Sequence, residues 1–270
     1  MASTVEEAKT AVREMMEDHK FGASGNKVVI EECMVGPEVT VLAFCDGEHL
    51  VPMLSSQDHK RPMTAIRPQH RRYGRLLPLP QLHPRHRRGV HGKDLPAHMR
   101  AMNAEGRPFR GCLYFGLMLT KDGPKVIEYN CRFGDPETQV VLPLLKTDLL
   151  TVMQAVENET LGDLTVEWRN GAAACVILAS GGYPGHYEKG KVITLPTSLP
   201  ENVTIYHAGD TLTAEGHLVT SGGRVLGVTA VADTLVEALQ DAYTTADAID
   251  FEGKYLRRDI GRRALAAARN

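Results

Sequence analysis

The stretch that decides the fold runs from Lys125 to Gln139 and reads Lys-Val-Ile-Glu-Tyr-Asn-Cys-Arg-Phe-Gly-Asp-Pro-Glu-Thr-Gln. Its first six residues, 125–130, are a short β-prone run and predict a strand. Because side chains alternate across a strand, Glu128 and Asn130 should lie on one face, one pleat apart. A carboxylate beside an amide oxygen offers the hard oxygen ligands that Mg²⁺ accepts when phosphates supply the others.

Arg132 and Asp135 follow directly after this strand. The guanidinium of Arg132 would add a planar fork of donors for a carboxylate or a phosphate. Gly134-Asp135-Pro136 then ends the strand, and a helix can begin with Pro136 in its first turn. Taken alone, a Glu-x-Asn pair is also typical of an edge strand with solvated side chains, so these residues by themselves leave both interpretations open.

The longer string over residues 128–139 resembles the signature of the glycinamide ribonucleotide synthetases (phosphoribosylamine–glycine ligases), an ATP-grasp family of purine synthesis. The resemblance covers residues 4–61 and 98–270. It implies that ATP is a cofactor and that Glu128 and Asn130 bind Mg²⁺ or Mn²⁺. It also implies catalytic roles for Arg132 and Asp135 at the substrate end of the site.

A second segment, Val-Val-Ile-Glu-Glu-Cys-Met-Val-Gly-Pro-Glu-Val over residues 28–39, resembles the adenine-binding hinge of the same family. Lys27–Met34 reads as a buried strand ending in two acids. The resemblance implies that Glu38 binds the ribose and that the adenine lies against four residues, namely Glu31, Glu32, Cys33 and Met34. Without the family, the two acids would only cap a solvated strand end.

Composition favours an ordinary globular protein. The chain has 270 residues, 43% hydrophobic and 24% charged, with a formal net charge of -2. Such a charge argues against nucleic-acid or membrane partners, and no apolar run is long enough to span a bilayer. The five cysteines form no Cys-x-x-Cys pair and are odd in number, which favours reduced thiols and a cytoplasmic location.

Residues 62–97 differ from the rest of the chain. Pro62–His91 is crowded with Arg, His and Pro and has no Asp or Glu. Where the family has Gly-Pro-Asn-Thr-Gly-Gly-Met-Gly-Ala-Tyr, this chain has Arg67–Leu76, and a single DNA string can encode both in frames one base apart. We therefore expect residues 62 to about 97 to be a frameshifted translation. The alternative is a basic arm that binds nucleic acid or phosphorylated partners.

Arg and His cannot reproduce the backbone cradle of a glycine-rich loop, so this segment should be disordered or poorly packed. Elsewhere the pattern predicts regular elements. Helices are expected at 5–18, 138–145, 148–157 and from Asp233 or Thr234; strands are expected at 38–44, 50–54, 110–120, 168–180, 191–195, 203–208, 218–220 and 225–232. Asp46-Gly47 should turn the strands at 38–44 and 50–54 into a hairpin, and Ser221-Gly222-Gly223 should do the same for the last two strands.

The fold class expected is α+β, a partial ATP-grasp domain followed by a small α+β C-terminal domain. The expected parts are 1–61, the aberrant 62–97, the catalytic part 98–162 and a C-terminal domain at 163–270. The resemblance implies a ligase that joins glycine to 5-phosphoribosylamine with ATP. A missing N-terminal domain of the same enzyme is an expected partner. Because that domain and the glycine-rich loop are both absent, this chain alone should show weak or no ligase activity. The alternatives are another ATP-grasp carboxylate–amine ligase and a non-catalytic remnant.

Overall fold

The computed structural model describes residues 2, 4–58, 74–77 and 94–267. The chain divides into two compact units, Met1–Gly36 and Pro37–Asn270. In the first unit, helix α1 (Val5–Met16) begins after Thr4, whose hydroxyl accepts a hydrogen bond from the N–H of Glu7 at 3.1 Å. This cap satisfies one of the free N–H groups of the first turn and confirms the predicted helix.

The predicted strand at Lys27–Met34 is wrong. The structure gives this stretch no regular secondary structure, and Val29 and Ile30 are 86% and 81% exposed. A strand needs a neighbour that accepts and donates its main-chain hydrogen bonds. The described residues of the first unit contain no strand that could pair with it, so this β-prone sequence forms no strand and stays exposed to solvent.

The second unit is built mainly from strands. In chain order they are β1 (Glu38–Asp46), β2 (Leu50–Pro52), β3 (Gln57–Asp58), β4 (Gly74–Leu77), β5 (Arg110–Thr120), β6 (Gly123–Asn130), β7 (Ala172–Ala179), β8 (Val203–His207), β9 (Asp210–Leu212), β10 (Leu218–Thr220) and β11 (Arg224–Ala232). The α-helices of this unit are α2 (Asp94–Ala104), α3 (Thr138–Val141), α4 (Leu149–Glu157), α5 (Leu235–Ala248) and α6 (Arg262–Ala267).

Among the described residues, one antiparallel sheet has the order β2-β1-β5-β6. The alternation of side chains gives it two faces with separate cores. Val41, Phe115 and Leu117 pack on one face with Met99 of α2. Leu42, Phe44 and Tyr114 lie on the other face with Val152 of α4. The predicted hairpin at 38–54 and the strands at 110–120 and 125–130 are confirmed.

A second sheet has the order β3-β4-β7-β11-β8, and α5 packs on β7 and β11. Strand β4 lies inside the segment that should be poorly packed, yet Leu76 is fully buried against Ala174 and Leu239. That expectation is therefore wrong for Gly74–Leu77, where Gly-Arg-Leu-Leu pairs with β7. Residues 59–73 and 78–93, on which most of the frameshift hypothesis depends, lie outside the described residues.

The predicted hairpin at Ser221–Gly223 is also wrong. Strand β10 pairs with β9, whereas β11 pairs with β7 and β8. The chain crosses at Gly209, where an added Cβ would lie 2.8 Å from the Cα of Gly222. Only glycine permits that approach between two backbones. The expected strand at 191–195 is reduced to isolated bridges at Val192 and Thr194.

The predicted starts of two helices in the second unit are confirmed. Helix α5 begins after Thr234 with a capping box to Glu237, and α4 begins after Asp148, which accepts from the N–H of Thr151 at 2.8 Å. All five cysteines are free thiols. No helix in the described part of the chain is long and apolar enough to cross a bilayer.

Asp46 joins the β1–β2 turn to the short helical turn Leu161–Asp163. Its buried carboxylate accepts main-chain hydrogen bonds from Glu48 (3.0 Å), His49 (2.6 Å) and Leu161 (3.1 Å). Burial alone would raise the pKa of Asp46, but the donors of His49 and Glu48 outweigh it and the pKa is lowered. The folded protein therefore stabilises the ionised form of the Asp46 carboxylate.

We expect Asp46→Asn to lower the free energy of unfolding at pH 7 by about 1–3 kcal/mol, because an amide N–H₂ would face main-chain donors. Since the folded pKa is lowered, the contribution of Asp46 is complete above its unfolded pKa and is lost as the pH falls through the folded value. The difference between Asp46→Asn and wild type should thus shrink below about pH 4. Urea unfolding at pH 7 and pH 3 measures it. The exposed Asp163→Asn is the control, and an equal loss there would contradict the assignment.

Candidate functional site

Glu128 and Asn130 lie on the same face of β6, as the alternation predicted. Glu128 pairs with Gly116 and Asn130 with Tyr114, two residues apart on both strands. The pairing register of β5 and β6 shifts between Gly116 and Leu117, which marks a β-bulge. The bulge lies before Glu128 on β6, so Glu128 and Asn130 stay on the same face. In the described sheet β6 is an edge strand, and the side chain of Glu128 faces solvent. The pair is therefore accessible to a ligand.

Gly116 makes room for Glu128. A Cβ added at Gly116 would lie 2.9 Å from the Cγ of Glu128 and 3.5 Å from the ring of Tyr114. The stem of Glu128 thus crosses the neighbouring strand where that strand has no side chain. Glycine weakens a strand interior, so its presence here is explained by the close approach of another group.

We expect Gly116→Ala to weaken Mn²⁺ binding in the presence of ADP roughly tenfold, because the new methyl group would displace the carboxylate of Glu128. Electron paramagnetic resonance of free Mn²⁺ measures the affinity. The control is the same change in a Glu128→Gln background. There Gly116→Ala should cause no further loss, and a full additive loss would show that the two residues act independently.

Glu38 lies on the same face of the sheet. It pairs with Met118, while Thr40 pairs with Gly116, so β1 and β5 keep one register beneath the site. Two strand spacings and two residues along the strand place Glu38 roughly 12 Å from Glu128. The hydroxyls of Thr40 and Tyr114 are hydrogen-bonded at 3.0 Å in the floor between them. The predicted ribose ligand and the predicted metal ligands therefore share one surface.

The residues after β6 form an irregular loop, 131–137, which we call the signature loop. Arg132 is exposed; its Nη1 donates to the carbonyl of Phe133 at 2.8 Å, and its Nη2 lies 3.5 Å from the Oδ1 of Asn130. The predicted cation thus lies beside the predicted amide ligand. This places a positive charge next to the oxygen pair, where phosphate or carboxylate oxygens would gather.

Asp135 is held by two side chains that the sequence did not indicate. Arg224 at the start of β11 donates to the carbonyl of Asp135 at 3.1 Å and to its Oδ2 at 2.9 Å. Gln139 donates to Oδ1 at 3.0 Å. Both carboxylate oxygens of Asp135 therefore accept hydrogen bonds, one from Arg224 and one from Gln139, and these contacts hold the loop in place. Arg224 stands in an ordinary Gly-Gly-Arg turn and is 89 residues away, so no local pattern could have linked the two.

Glu137 is the second residue that sequence reasoning did not assign. Its side chain is fully buried, and its carbonyl accepts the N–H groups of Val140 and Val141 at the start of α3. The carboxylate lies directly under Gly134, since a Cβ there would be 2.5 Å from the Glu137 Cδ. The only available signal was its place in the Asp-Pro-Glu run. The buried side chain of Glu137 therefore packs against the main chain of the loop at Gly134.

The donor set fits Mg²⁺ bound together with phosphates. Within the described residues, no group of three or more His, Cys, Asp or Glu side chains could hold a metal by itself. Glu128 and Asn130 would supply two oxygen ligands, and Mg²⁺ is usually held by one or two protein ligands with phosphate and water oxygens completing the shell. The site is suited to a metal–nucleotide complex rather than to a permanent protein metal centre.

The four residues predicted to contact adenine belong to the first unit. Glu31, Glu32 and Cys33 are exposed and Met34 is half-buried. The N–H of Met34 donates to the carbonyl of Glu32 at 3.0 Å. Their role in binding adenine stays a prediction.

The comparisons with known proteins agree with these features. Residues 1–138 match the family described as "Phosphoribosylglycinamide synthetase, ATP-grasp (A) domain", and residues 173–263 match its C domain. The chain is similar to the phosphoribosylamine–glycine ligase of Nostoc sp., with 45% identity over 97% of this chain and 63% of that protein. It is 47% identical to the trifunctional purine biosynthetic protein adenosine-3 of Gallus gallus, over 98% of this chain and 27% of that protein.

Solved structures give the same result. The phosphoribosylamine–glycine ligase of Thermotoga maritima matches with a TM-score of 0.76 and 34% identity, over 85% of this chain and 56% of that one. The biotin carboxylase domain of Hydrogenobacter thermophilus 2-oxoglutarate carboxylase matches with a TM-score of 0.67 and 12% identity, over 96% of this chain and 57% of that one, which shows the fold alone. The chain spans 63% of the Nostoc relative's length. It belongs to the phosphoribosylglycinamide synthetase family, with an ATP-grasp domain followed by the family's C domain.

Proposed function

We propose that this chain is part of an ATP-dependent ligase that joins glycine to 5-phosphoribosylamine and releases glycinamide ribonucleotide, ADP and phosphate. The observation that carries the proposal is the arrangement of Glu38, Glu128 and Asn130 on one sheet face beside Arg132. The identity of 45% to the Nostoc ligase supports the choice of substrates. A cytoplasmic location and the division at residues 61, 97 and 162 belong to the same proposal.

In the proposed reaction a glycine carboxylate oxygen attacks the γ-phosphorus of ATP, the bond to the β-phosphate oxygen breaks and ADP leaves. The amine nitrogen of phosphoribosylamine then attacks the carbonyl carbon of glycyl phosphate, loses a proton and expels phosphate. Glu128 and Asn130 would hold Mg²⁺ or Mn²⁺, which offsets charge on the transferring phosphoryl group. Arg132 would orient the carboxylate and neutralise the charge that develops on its oxygens.

The structure favours this proposal over the alternatives in different ways. A non-catalytic remnant gives no reason for Gly116 to leave space for an exposed glutamate. Another ATP-grasp ligase would share the metal pair, but the full Arg-Phe-Gly-Asp-Pro-Glu run and the match to the family's C domain over residues 173–263 favour glycine and phosphoribosylamine. The basic segment 62–91 that a nucleic-acid binder would use lies mostly outside the described residues, and against this alternative stands the net charge of -2.

The test is product formation by the purified chain with ATP, Mg²⁺, ¹³C-glycine and phosphoribosylamine formed in place from ribose 5-phosphate and ammonia. We expect slow formation of labelled glycinamide ribonucleotide, with one ADP per product, that requires all three substrates. Turnover should be slow because Arg67–Leu76 replaces the family's glycine-rich loop. Replacing glycine by alanine separates this proposal from another ATP-grasp ligase. ADP release that is indifferent to glycine, or its complete absence, would contradict the proposal.

A further inference from the structure

Arg224 connects the second sheet, to which β11 belongs, to the signature loop. Two of its guanidinium nitrogens contact one residue, Asp135, through the main-chain carbonyl at 3.1 Å and the carboxylate at 2.9 Å. The ion pair is partly shielded, with 27% of the Arg224 side chain exposed and 48% of Asp135. A two-pronged contact of this kind fixes orientation as well as distance, because the guanidinium is planar and rigid.

The backbone that carries Arg224 is itself firmly held. Ser180 at the end of β7 donates its N–H to the carbonyl of Gly223 at 2.9 Å and its hydroxyl to the carbonyl of Gly222 at 2.8 Å. Gly209 packs directly against Gly222. The main-chain N–H groups of Gly209 and Gly222 are used in hydrogen bonds to other main-chain carbonyls, so these glycines serve close packing. Arg224 therefore projects from a rigid platform.

The signature loop has weaker local support on its exposed side. Among the described residues, Arg132 donates to groups in its own neighbourhood, the carbonyl of Phe133 and the side chain of Asn130. Phe133 of the loop packs edge-to-face on Phe44 of β1, with ring centroids 6.2 Å apart, and so ties the loop to the first sheet. Asp135 is the residue through which Arg224 ties the loop to the second sheet. Loss of the Arg224 contact would leave Arg132 on a loop held by the packed ring of Phe133 and the buried side chain of Glu137, with no tie to the second sheet through Asp135.

We propose that Arg224 is a positioning residue. By holding Asp135, it fixes the loop that presents Arg132 beside Asn130. The position of Arg132 in the site therefore depends on the second sheet, to which Arg224 belongs. Arg224 needs no contact with a substrate for this role. The proposal deepens the function proposed above, and its catalytic consequence rests on that function, whereas its structural consequence does not.

The structural test is hydrogen exchange of the full chain, followed by mass spectrometry of peptides that cover residues 131–138. In Arg224→Met the main-chain amides of this loop should exchange about tenfold faster, because two charge-assisted hydrogen bonds are lost. The matched control is Arg258→Met, which removes a similar arginine–aspartate pair to Asp247 on α5. In Arg258→Met, the main-chain amides of the signature loop should exchange at the same rate as in the wild type.

Arg224→Lys distinguishes positioning from a general loss of structure. Lysine keeps the charge and one contact to the carboxylate but not the fork, so its loop should exchange at an intermediate rate. If the ligase reaction proceeds, kcat should fall about tenfold in Arg224→Met with KM for ATP unchanged, and Arg224→Lys should recover part of it. Loop exchange in Arg224→Met equal to that of Arg258→Met would overturn the proposal. Absence of turnover in wild type, with the exchange contrast intact, would overturn only the proposed ligase function.

Discussion

Replacement of Glu128 by Gln is expected to weaken Mn²⁺ binding in the presence of ADP by more than tenfold. The removal of an outer-shell partner of a metal ligand already costs about 10–100-fold, and Glu128 is proposed as a direct ligand. Glutamine keeps the size of the side chain and its position over Gly116 but removes the charge. The fold should therefore remain intact while the metal–nucleotide complex is lost.

The measurement is a titration of Mn²⁺ and ADP followed by electron paramagnetic resonance. Glu157→Gln is the control, because Glu157 is an exposed glutamate at the end of α4, outside the proposed site. It should bind Mn²⁺ as the wild type does. Equal affinities in Glu128→Gln and Glu157→Gln would show that Glu128 is only a solvated residue of an edge strand.

Gly134→Ala is expected to have the largest effect on the loop itself. Gly134 is buried, and a Cβ at this position would lie 2.5 Å from Cδ and 2.6 Å from Oε2 of Glu137. Because Glu137 is fully buried, a shift of its carboxylate would disturb the closely packed residues around it. We expect the free energy of unfolding to fall by about 1–3 kcal/mol, the usual cost of overpacking, and ligase activity to be lost.

Thermal and urea unfolding measure this effect, with Gly227→Ala as the matched control. At Gly227 the nearest side-chain atoms to an added Cβ are 3.4 Å away, which is ordinary contact. That substitution should leave stability within about 0.5 kcal/mol of wild type, since alanine also reduces the entropy of the unfolded chain. A Gly134→Ala variant as stable and active as Gly227→Ala would contradict the packing described for the signature loop.

The parts of the fold that depend on neighbouring residues could be predicted from sequence. The placement of Glu128 and Asn130 on one face follows from alternation along β6, and the starts of α1 and α5 follow from Thr4 and Thr234 as caps. The Asp46-Gly47 turn likewise predicted its hairpin. In each case the physical cause acts within a few residues.

The features that sequence reasoning missed depend on partners far along the chain. Lys27–Met34 has the composition of a strand, but strand formation requires a neighbour. The prediction of a β10–β11 hairpin was wrong because Gly209 and Gly222 bring two distant backbone segments together, and β10 pairs with β9 instead. The contact between Arg224 and Asp135 spans 89 residues and two sheets, so only the three-dimensional structure could reveal it.

The central claim is that glycine is activated through its carboxylate at the Glu128–Asn130 site. The most direct measurement is the reaction of ATP and phosphoribosylamine with glycine carrying ¹⁸O in both carboxylate oxygens. The account predicts that each molecule of phosphate released contains one ¹⁸O, because the oxygen that attacks the γ-phosphorus leaves with it. It also predicts that Glu128→Gln abolishes this transfer. Product formed with unlabelled phosphate would contradict the account.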